Sequence, residues 1–409
     1  MGVILDEIFE AFDKNKIFKN KGVLESNYQP EQILHRDEHI KQIASILAPV
    51  LRGEKCSNLF LYGKTGTGKT ISIQYVKDEM LKRVKKEADF ALKIEYLNCK
   101  LKKVSDTDYR ILAELIKKLG GQVPDTGLPT ERVYNKFINL IDSEKQIIVL
   151  ILDEIDQVVK KISSDFLYNL TRLNNELSQS KLCLVGISND LTFLDEIDPR
   201  VRSSLSEEEI VFLPYNAIQL QEILRKRAAE AFKEGILQEG VIEKCAAFSA
   251  KGYGDARRAL DLLRVAGELA ERDKSDKITF KHIDEANKKL ESDKVLEIIQ
   301  SEPKPFHYVL NSIIQLTEQR SKEGKSSHEP IFTGDIYNHY AEFCSRNKIE
   351  VLTQRRVSDI IQEFDMFGII NVRVVSKGRG GRMREINLVL AQESIVKVKE
   401  IIKNSVDFR

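Results

Sequence analysis

Apolar residues gather in five short runs along an otherwise polar chain: Asn58–Tyr62, Leu92–Leu97, Ile147–Leu152, Lys181–Ile187 and Glu209–Leu213. The third is six apolar residues in a row, many β-branched, which predicts a strand buried on both faces. Between the runs the apolar period lengthens to that of a helix. Ile33, Ile40, Ile43, Ile46 and Leu47 recur at that spacing over Pro30–Leu51. Residues 71–86, 105–140 (broken by Gly120-Gly121 and Pro124) and Phe166–Leu177 also read as helices. Strands alternating with helices predict a parallel α/β sheet. Residues 1–30 are polar and irregular, an N-terminal arm. After Pro214 the strands stop, and 216–300 read as helices with turns at Gly235, Gly240 and 251–254. Pro303 and Pro305 mark a boundary. Beyond it come three helical patterns and a strand–turn–strand over 369–390. The division is therefore 1–214, 215–302 and 303–409, which suits a chain of 409 residues.

Charge changes this picture little. Lys and Arg number 64 against 63 Asp and Glu, a net charge of +1. That excludes a histone-like cationic protein or an acidic tail protein, but leaves room for a local nucleic-acid-binding patch. No apolar run approaches the ~20 residues of a membrane span. The start, Met1-Gly-Val-Ile-Leu-Asp-Glu7, lacks the charged region and cleavage site of a secretory signal. Five widely spaced cysteines without a CxxC pair predict reduced, mostly buried thiols in an intracellular protein and no zinc site.

Chemistry first becomes specific at Gly63, Lys64, Thr65, Gly66, Thr67, Gly68, Lys69 and Thr70, which match G-x-x-x-x-G-K-[ST]. An apolar strand precedes them and a helix follows, the context this phosphate loop needs. Its backbone N–H groups point inward, and the helix N-terminus adds positive potential. Lys69 can reach the β- and γ-phosphates, and the Thr70 hydroxyl can bind Mg²⁺. The competing reading is a glycine-rich turn that binds nothing.

The buried run 147–152 ends in Asp153-Glu154-Ile-Asp156. Ligands of α/β sheets sit at such strand ends. Asp153 would hold Mg²⁺, directly or through water. Glu154 would orient or deprotonate the attacking water. Alone, the pair could be a solvated strand end. Asp156 suits a cap on the next helix.

With these motifs the chain resembles the AAA+ ATPases, and more closely the archaeal origin-recognition and replication-initiation proteins, relatives of the eukaryotic origin recognition complex. The resemblance spans nearly the whole chain. It is carried by Gly63–Thr70, Leu152–Asp156, Gly186-Ile-Ser-Asn-Asp190, Asp198-Pro-Arg-Val-Arg-Ser-Ser-Leu205 and Gly254-Asp-Ala-Arg-Arg-Ala-Leu-Asp-Leu-Leu263. It implies a phosphate-loop AAA+ domain, an all-α lid and a C-terminal winged-helix domain. It makes Asn189 the first sensor, touching the γ-phosphate or the attacking water. It makes Arg257 the second sensor, a cation for the γ-phosphate, on a helix that Asp255 would cap. Arg258 reads as surface charge or a salt bridge. Arg200 and Arg202 lie where such proteins often carry an arginine finger. In many relatives the finger falls two positions after Arg202, and here that position is Ser204. Asn27-Tyr-Gln-Pro30 and Ile33-Leu-His-Arg36 match the stretch that surrounds adenine in the family. Tyr28, with Tyr215 beyond the last strand, is assigned to the nucleotide; ordinary packing of the arm is the alternative.

Residues of about 101–130 match in position the initiator-specific insertion that touches DNA. Lys102, Lys103, Lys117 and Lys118 could meet phosphates there, or the helix could simply be solvated. Near the C-terminus, Thr353 suits an N-cap for a helix with Val357, Ile360, Ile361, Phe364 and Phe367 inward. Gln354, Arg355, Arg356, Ser358 and Gln362 are left outward, side chains suited to phosphate or base-edge contact in a major groove. Arg373, Lys377, Arg379, Arg382 and Arg384 then follow with no acidic residue between Asn371 and Arg384. Such a basic glycine-containing turn suits phosphates or a minor groove. A winged helix can also bind protein.

Together these features predict an ATP-dependent initiator that uses ATP/ADP and Mg²⁺. Its partners would be double-stranded origin DNA, the replicative helicase and a paralogous initiator, with no membrane. Its location would be cytoplasmic and nucleoid-associated. The rival classes are a clamp-loader-like subunit and a signalling ATPase whose winged helix binds a protein.

Overall fold

The computed structural model describes residues 17–84, 89–100, 107–124, 126–162, 165–192, 197–205, 207–252, 254–322, 331–376, 382–390 and 392–405. The chain separates into two compact units, Met1–Ile283 and Asp284–Arg409. The expected α/β part and most of the expected all-helical part lie in the first.

The described part of the arm is not only polar. Ile17, Phe18, Val23 and Leu24 are buried. Phe18 bridges to Phe232, their rings stacked at 5.0 Å. Helix α1 (Asp37–Leu47) begins later than the apolar spacing predicts. His35 takes a left-handed φ of +58°, which no α-helix can continue through.

Strand β1 (Asn58–Tyr62) leads into helix α2 (Lys69–Arg83). Next come β2 (Ala91–Asn98), α3 (Asp108–Lys118), α4 (Thr130–Ile141), β3 (Gln146–Asp153) and α5 (Ile155–Lys161). Then follow α6 (Asp165–Arg172), β4 (Lys181–Ser188), α7 (Pro199–Leu205) and β5 (Glu207–Val211). The strands form one parallel sheet in the order β2-β3-β4-β1-β5. All eight residues of β3 are buried, as a strand covered on both faces requires. Strand β5 starts two residues before the apolar run. Its register against β1, Asn58 opposite Glu207 through Tyr62 opposite Val211, is set by the backbone ladder rather than by side-chain polarity. Leu213, counted in the predicted strand, is 68% exposed. The predicted helix Phe166–Leu177 tightens into a 3₁₀ turn at Leu173–Asn175, because the Asn174 amide pairs with the Leu182 backbone in both directions at 2.8 Å.

The parallel register sets Tyr62, Asn98, Asp153 and Ser188 at the carboxyl ends of neighbouring strands. After β5, helices α8 (Ala217–Ala231), α9 (Val241–Lys251) and α10 (Ala256–Arg272) follow, then α11 (Phe280–Ser301).

The second unit contains α12 (Lys304–Lys322), β6 (Ile331–Phe332), α13 (Thr333–Arg346), α14 (Gln354–Met366), β7 (Ile370–Ser376), β8 (Arg382–Leu388) and α15 (Gln392–Ser405). Its antiparallel sheet runs β6-β8-β7 beside the helices, a winged helix. Phe306 and Phe364 meet at its centre with ring centroids 4.2 Å apart. Strand β6 and helix α15 are additions to the predicted pattern. None of the described helices is long and apolar enough to cross a membrane. The five cysteines are buried, free thiols.

Candidate nucleotide-binding site

The glycine loop leaves β1 and turns directly into α2. A side chain at Gly66 would put its Cβ 1.7 Å from Asp255 Oδ1, and one at Gly63 would meet the Phe212 carbonyl at 2.4 Å. Both positions also have positive φ, so only glycine fits. Thr67 Oγ1 donates to the Lys64 carbonyl at 2.8 Å, closing the loop on itself. Arg36 holds it from below. Its Nε donates to the Thr67 carbonyl at 2.8 Å and its Nη2 to the Leu213 carbonyl at 2.7 Å. Its guanidinium lies 3.8 Å from the Tyr215 ring centroid. Fixing the Thr67 carbonyl on one side aims the N–H of the same peptide plane, that of Gly68, to the other.

Lys69 is 5% exposed. Its Nζ donates to the Gly63 carbonyl (2.7 Å), the Lys64 carbonyl (3.0 Å) and Asn189 Oδ1 (2.9 Å). Burial lowers its pKa to about 8, against the pull of the nearby Asp153 carboxylate. Thr70 Oγ1 donates to Asp153 Oδ2 at 2.8 Å, and the Tyr96 hydroxyl donates to the same oxygen at 2.7 Å. Asp153 Oδ1 accepts the Glu154 N–H at 2.9 Å. Glu154 itself sits at φ +56°, a left-handed conformation that costs a non-glycine residue about 1 kcal/mol or more. The chain thereby turns sharply from β3 into α5. Burial raises the Glu154 carboxyl pKa above its usual value, partly offset by Lys100, whose Nζ is 3.7 Å from Oε2.

Asp156 does not cap α5, as its position suggested. Glu154 holds the cap position, and Asp156 is buried in the first turn. It accepts from Ser188 Oγ at 3.2 Å and from Gln157 Nε2 at 2.9 Å. Ser188 Oγ in turn accepts the Asp190 N–H at 2.9 Å, which pins the turn that carries Asn189.

A cavity of about 300 Å³ opens over these groups. Residues 65–71, Asp153, Glu154 and Asn189 line one end. Arg257 lines it from α10, where Asp255 caps the helix by accepting the Arg257 and Arg258 N–H groups at 2.8 and 3.2 Å. The Ala256 N–H donates to the Gly66 carbonyl at 3.2 Å, joining this helix start to the loop. Tyr28, Ile33, Tyr215 and Arg227 line the remainder. Glycine N–H groups and two cations at one end suit a polyphosphate. The Thr70 hydroxyl and Asp153 carboxylate are the hard oxygen donors that Mg²⁺ takes. The residues present therefore fit a magnesium nucleotide.

In the second unit, Thr353 caps α14 by accepting the Arg356 N–H at 3.3 Å. Val357, Ile360, Ile361 and Phe364 are buried, while Gln354, Arg355, Arg356 and Gln362 are exposed. Ser358 is half-buried and accepts from Arg384 Nη1 at 3.3 Å. Arg356 Nη1 reaches Glu363 at 3.4 Å. Lys377 and Arg379 fall outside the described residues, and Arg382 opens β8.

Comparison with known proteins gives this geometry a family. A model of the AAA domain matches residues 52–193, one of the Cdc6 AAA+ ATPase-type lid domain 221–288, and one of the CDC6 C-terminal winged helix domain 297–398. The chain is 48% identical to an ORC1-type DNA replication protein of Thermococcus onnurineus over 98% of its length and 94% of that protein. It is 49% identical to that of Pyrococcus furiosus, over 94% of the chain and 90% of the relative. The chain belongs to the ORC1-type DNA replication proteins. Among solved structures it is similar to the Aeropyrum pernix ORC1 protein in complex with DNA. That likeness has a TM-score of 0.79 at 40% identity and covers 95% of this chain and 97% of the other.

Among the described residues of this ORC1-type chain, the arginines of α7 and the helix of the insertion do not line the cavity. Arg200 on α7 is exposed and pairs with Asp198, Nη2 to Oδ2 at 2.8 Å and Nε to Oδ1 at 3.1 Å. Arg202 is exposed on the same helix. In the insertion, α3 turns Ile111, Leu112, Leu115 and Ile116 into the core, with Lys117 and Lys118 in its last turn. Lys102 and Lys103 fall outside the described residues. Tyr96, Lys100, Arg227 and Glu230 line the site without having been singled out in the sequence. Each comes from a segment with no motif of its own, and only tertiary packing brings it there.

Proposed function

We propose that this ORC1-type AAA+ protein is an ATP-controlled initiator. It binds double-stranded DNA at a replication origin and helps recruit the replicative helicase, alone or beside a paralogous initiator, in the cytoplasm on the nucleoid. The main support for DNA binding is likeness over 95% of the chain to an ORC1 protein solved on DNA. The main support for the ATP switch is the cavity in which Lys69 donates to Asn189 and Thr70 donates to Asp153, beside Arg257.

In this reading the chain divides into an AAA+ domain (1–214), a lid (215–302) and a DNA-binding winged helix (303–409). The Gly63–Thr70 loop cradles the phosphates and Lys69 neutralises the β- and γ-groups. Bound Mg²⁺, held by Thr70 and Asp153, would offset phosphate charge. Glu154, its pKa raised by burial, takes a proton from the attacking water, while Asn189 orients that water or the γ-phosphate. Arg257 supplies a further cation from the lid. A γ-phosphate contacting both Lys69 and Arg257 would favour one arrangement of sheet and lid over another, the differential contact a ligand switch needs. Turnover is slow and acts as a timer. Arg200 or Arg202 would serve a neighbour's nucleotide. Helix α14, from Thr353 through Ser358, enters the major groove, while Lys377, Arg379 and Arg382 of the wing meet phosphates or the minor groove.

The test is binding at fixed salt to a duplex from the host's own replication origin and to a scrambled duplex of equal length. A preference of about tenfold or more, ~1.4 kcal/mol, is expected. Equal weak binding to both would contradict origin recognition and favour an ATPase directed by a protein partner.

A further inference from the structure

The Asp153 carboxylate takes hydrogen bonds from three donors, and one of them comes from a strand that carries no motif. Thr70 Oγ1 and the Tyr96 hydroxyl both donate to Oδ2, at 2.8 and 2.7 Å. Oδ1 accepts the Glu154 N–H at 2.9 Å. A carboxylate has about four lone-pair directions, so these donors occupy most of its capacity. Thr70 belongs to the phosphate loop and Glu154 follows Asp153 directly. Tyr96 reaches in from β2, the edge strand of the sheet.

Its placement follows from the strand. Alternate residues of a strand share a face, and Tyr96, Asn98 and Lys100 all line the cavity. The parallel register sets Tyr96 opposite Ile151 and Asn98 opposite Asp153. The Tyr96 ring is half-buried and packs against the apolar cluster that holds Ile73 and Ile151. An anchored ring presents its hydroxyl at one place. A phenol keeps its proton at neutral pH, so here Tyr96 donates and the carboxylate accepts.

The bond has a consequence for the neighbouring hydroxyl. The last torsion of an aspartate is broad, so an unheld carboxylate rotates easily. The Tyr96 hydroxyl and the Glu154 N–H hold the two oxygens from opposite ends and stop that rotation. Thr70 then gives its proton to Oδ2, which leaves the lone pairs of its own oxygen for a cation. Outer partners that orient metal-binding side chains act in this way. Resting on the reading of the cavity as a magnesium nucleotide site, we propose that Tyr96 is a positioning residue for magnesium. Its hydroxyl fixes the Asp153 carboxylate, and through it the Thr70 hydroxyl, in the arrangement that receives the cation.

Calorimetry of ATP binding to the full chain, across a magnesium titration and in EDTA, tests this. Tyr96→Phe removes one oxygen and keeps the ring that packs. It should raise the magnesium concentration needed for tight ATP binding by about tenfold. ATP affinity in EDTA should stay within about twofold of wild type. Asp153→Ala should weaken the magnesium dependence, and adding Tyr96→Phe to it should change nothing further, because the hydroxyl acts through that carboxylate. An unchanged magnesium dependence in Tyr96→Phe would overturn the proposal, and a lower melting temperature beside it would make the hydroxyl purely structural. An equal loss of ATP affinity in EDTA would also overturn it, since Tyr96 would then be a nucleotide contact. So would a further loss in the double variant. A wild type that binds ATP equally well with and without magnesium would overturn the magnesium reading beneath the proposal, and one that binds no ATP would overturn the nucleotide site itself.

Discussion

Lys69 loses its proton near pH 8 because it is enclosed by protein, and that makes nucleotide binding pH-dependent. A triphosphate beside its Nζ favours the charged form and raises the pKa again. Binding above pH 8 must therefore take up a proton, and affinity must fall as pH climbs from about 8 towards 10. Calorimetry at pH 8.5 in buffers of different ionisation enthalpy should show an uptake of about half to one proton per ATP. No uptake would mean that Lys69 does not face the phosphates. Lys69→Ala should abolish nucleotide binding. Glu154→Gln should keep binding and slow turnover by about a hundredfold or more. Normal turnover in that variant would remove Glu154 as the base. These residues were legible because loop and strand end are contiguous stretches whose spacing is itself the chemistry. Tyr96 was not legible. It reaches Asp153 only because β2 lies beside β3 in parallel register, with Asn98 opposite Asp153. Arg36 stood in a recognised stretch, but its grip on the Thr67 carbonyl depends on a left-handed turn at His35 that no local pattern announces.

At the scale of elements, buried strands were the most legible, since a run such as Ile147–Leu152 has no other comfortable place than the middle of a covered sheet. The edge strand β5 was displaced because backbone pairing, not apolarity, sets an edge. Asp156 looked like a cap by position and instead braces Ser188, a role that needs β4 to be in place. Helix α15 carries Ile395, Val398 and Ile402 inward at helical spacing, so the signal was present beyond the last predicted strand. The wing is tested by Arg379→Ala with Arg382→Ala. DNA affinity should fall, and the slope of log affinity against log salt should become shallower by about two, one for each lost phosphate contact. An unchanged slope would take the wing out of the DNA contact.

At the scale of the molecule, a net charge of +1 leaves no general attraction for DNA, so recognition has to come from a local surface. The same chain carries a nucleotide cavity in its first unit and a winged helix in its second, and control of DNA binding by ATP requires a free-energy coupling between the two. Coupling of this kind is reciprocal: whatever factor ATP adds to DNA affinity, DNA must add to ATP affinity. The most direct measurement is the affinity for one origin duplex at one salt concentration in three states, with ATP and Mg²⁺, with ADP, and with no nucleotide. Control of DNA binding by ATP requires the tightest binding with ATP, by about fivefold or more over ADP. The same affinity in all three states would contradict it.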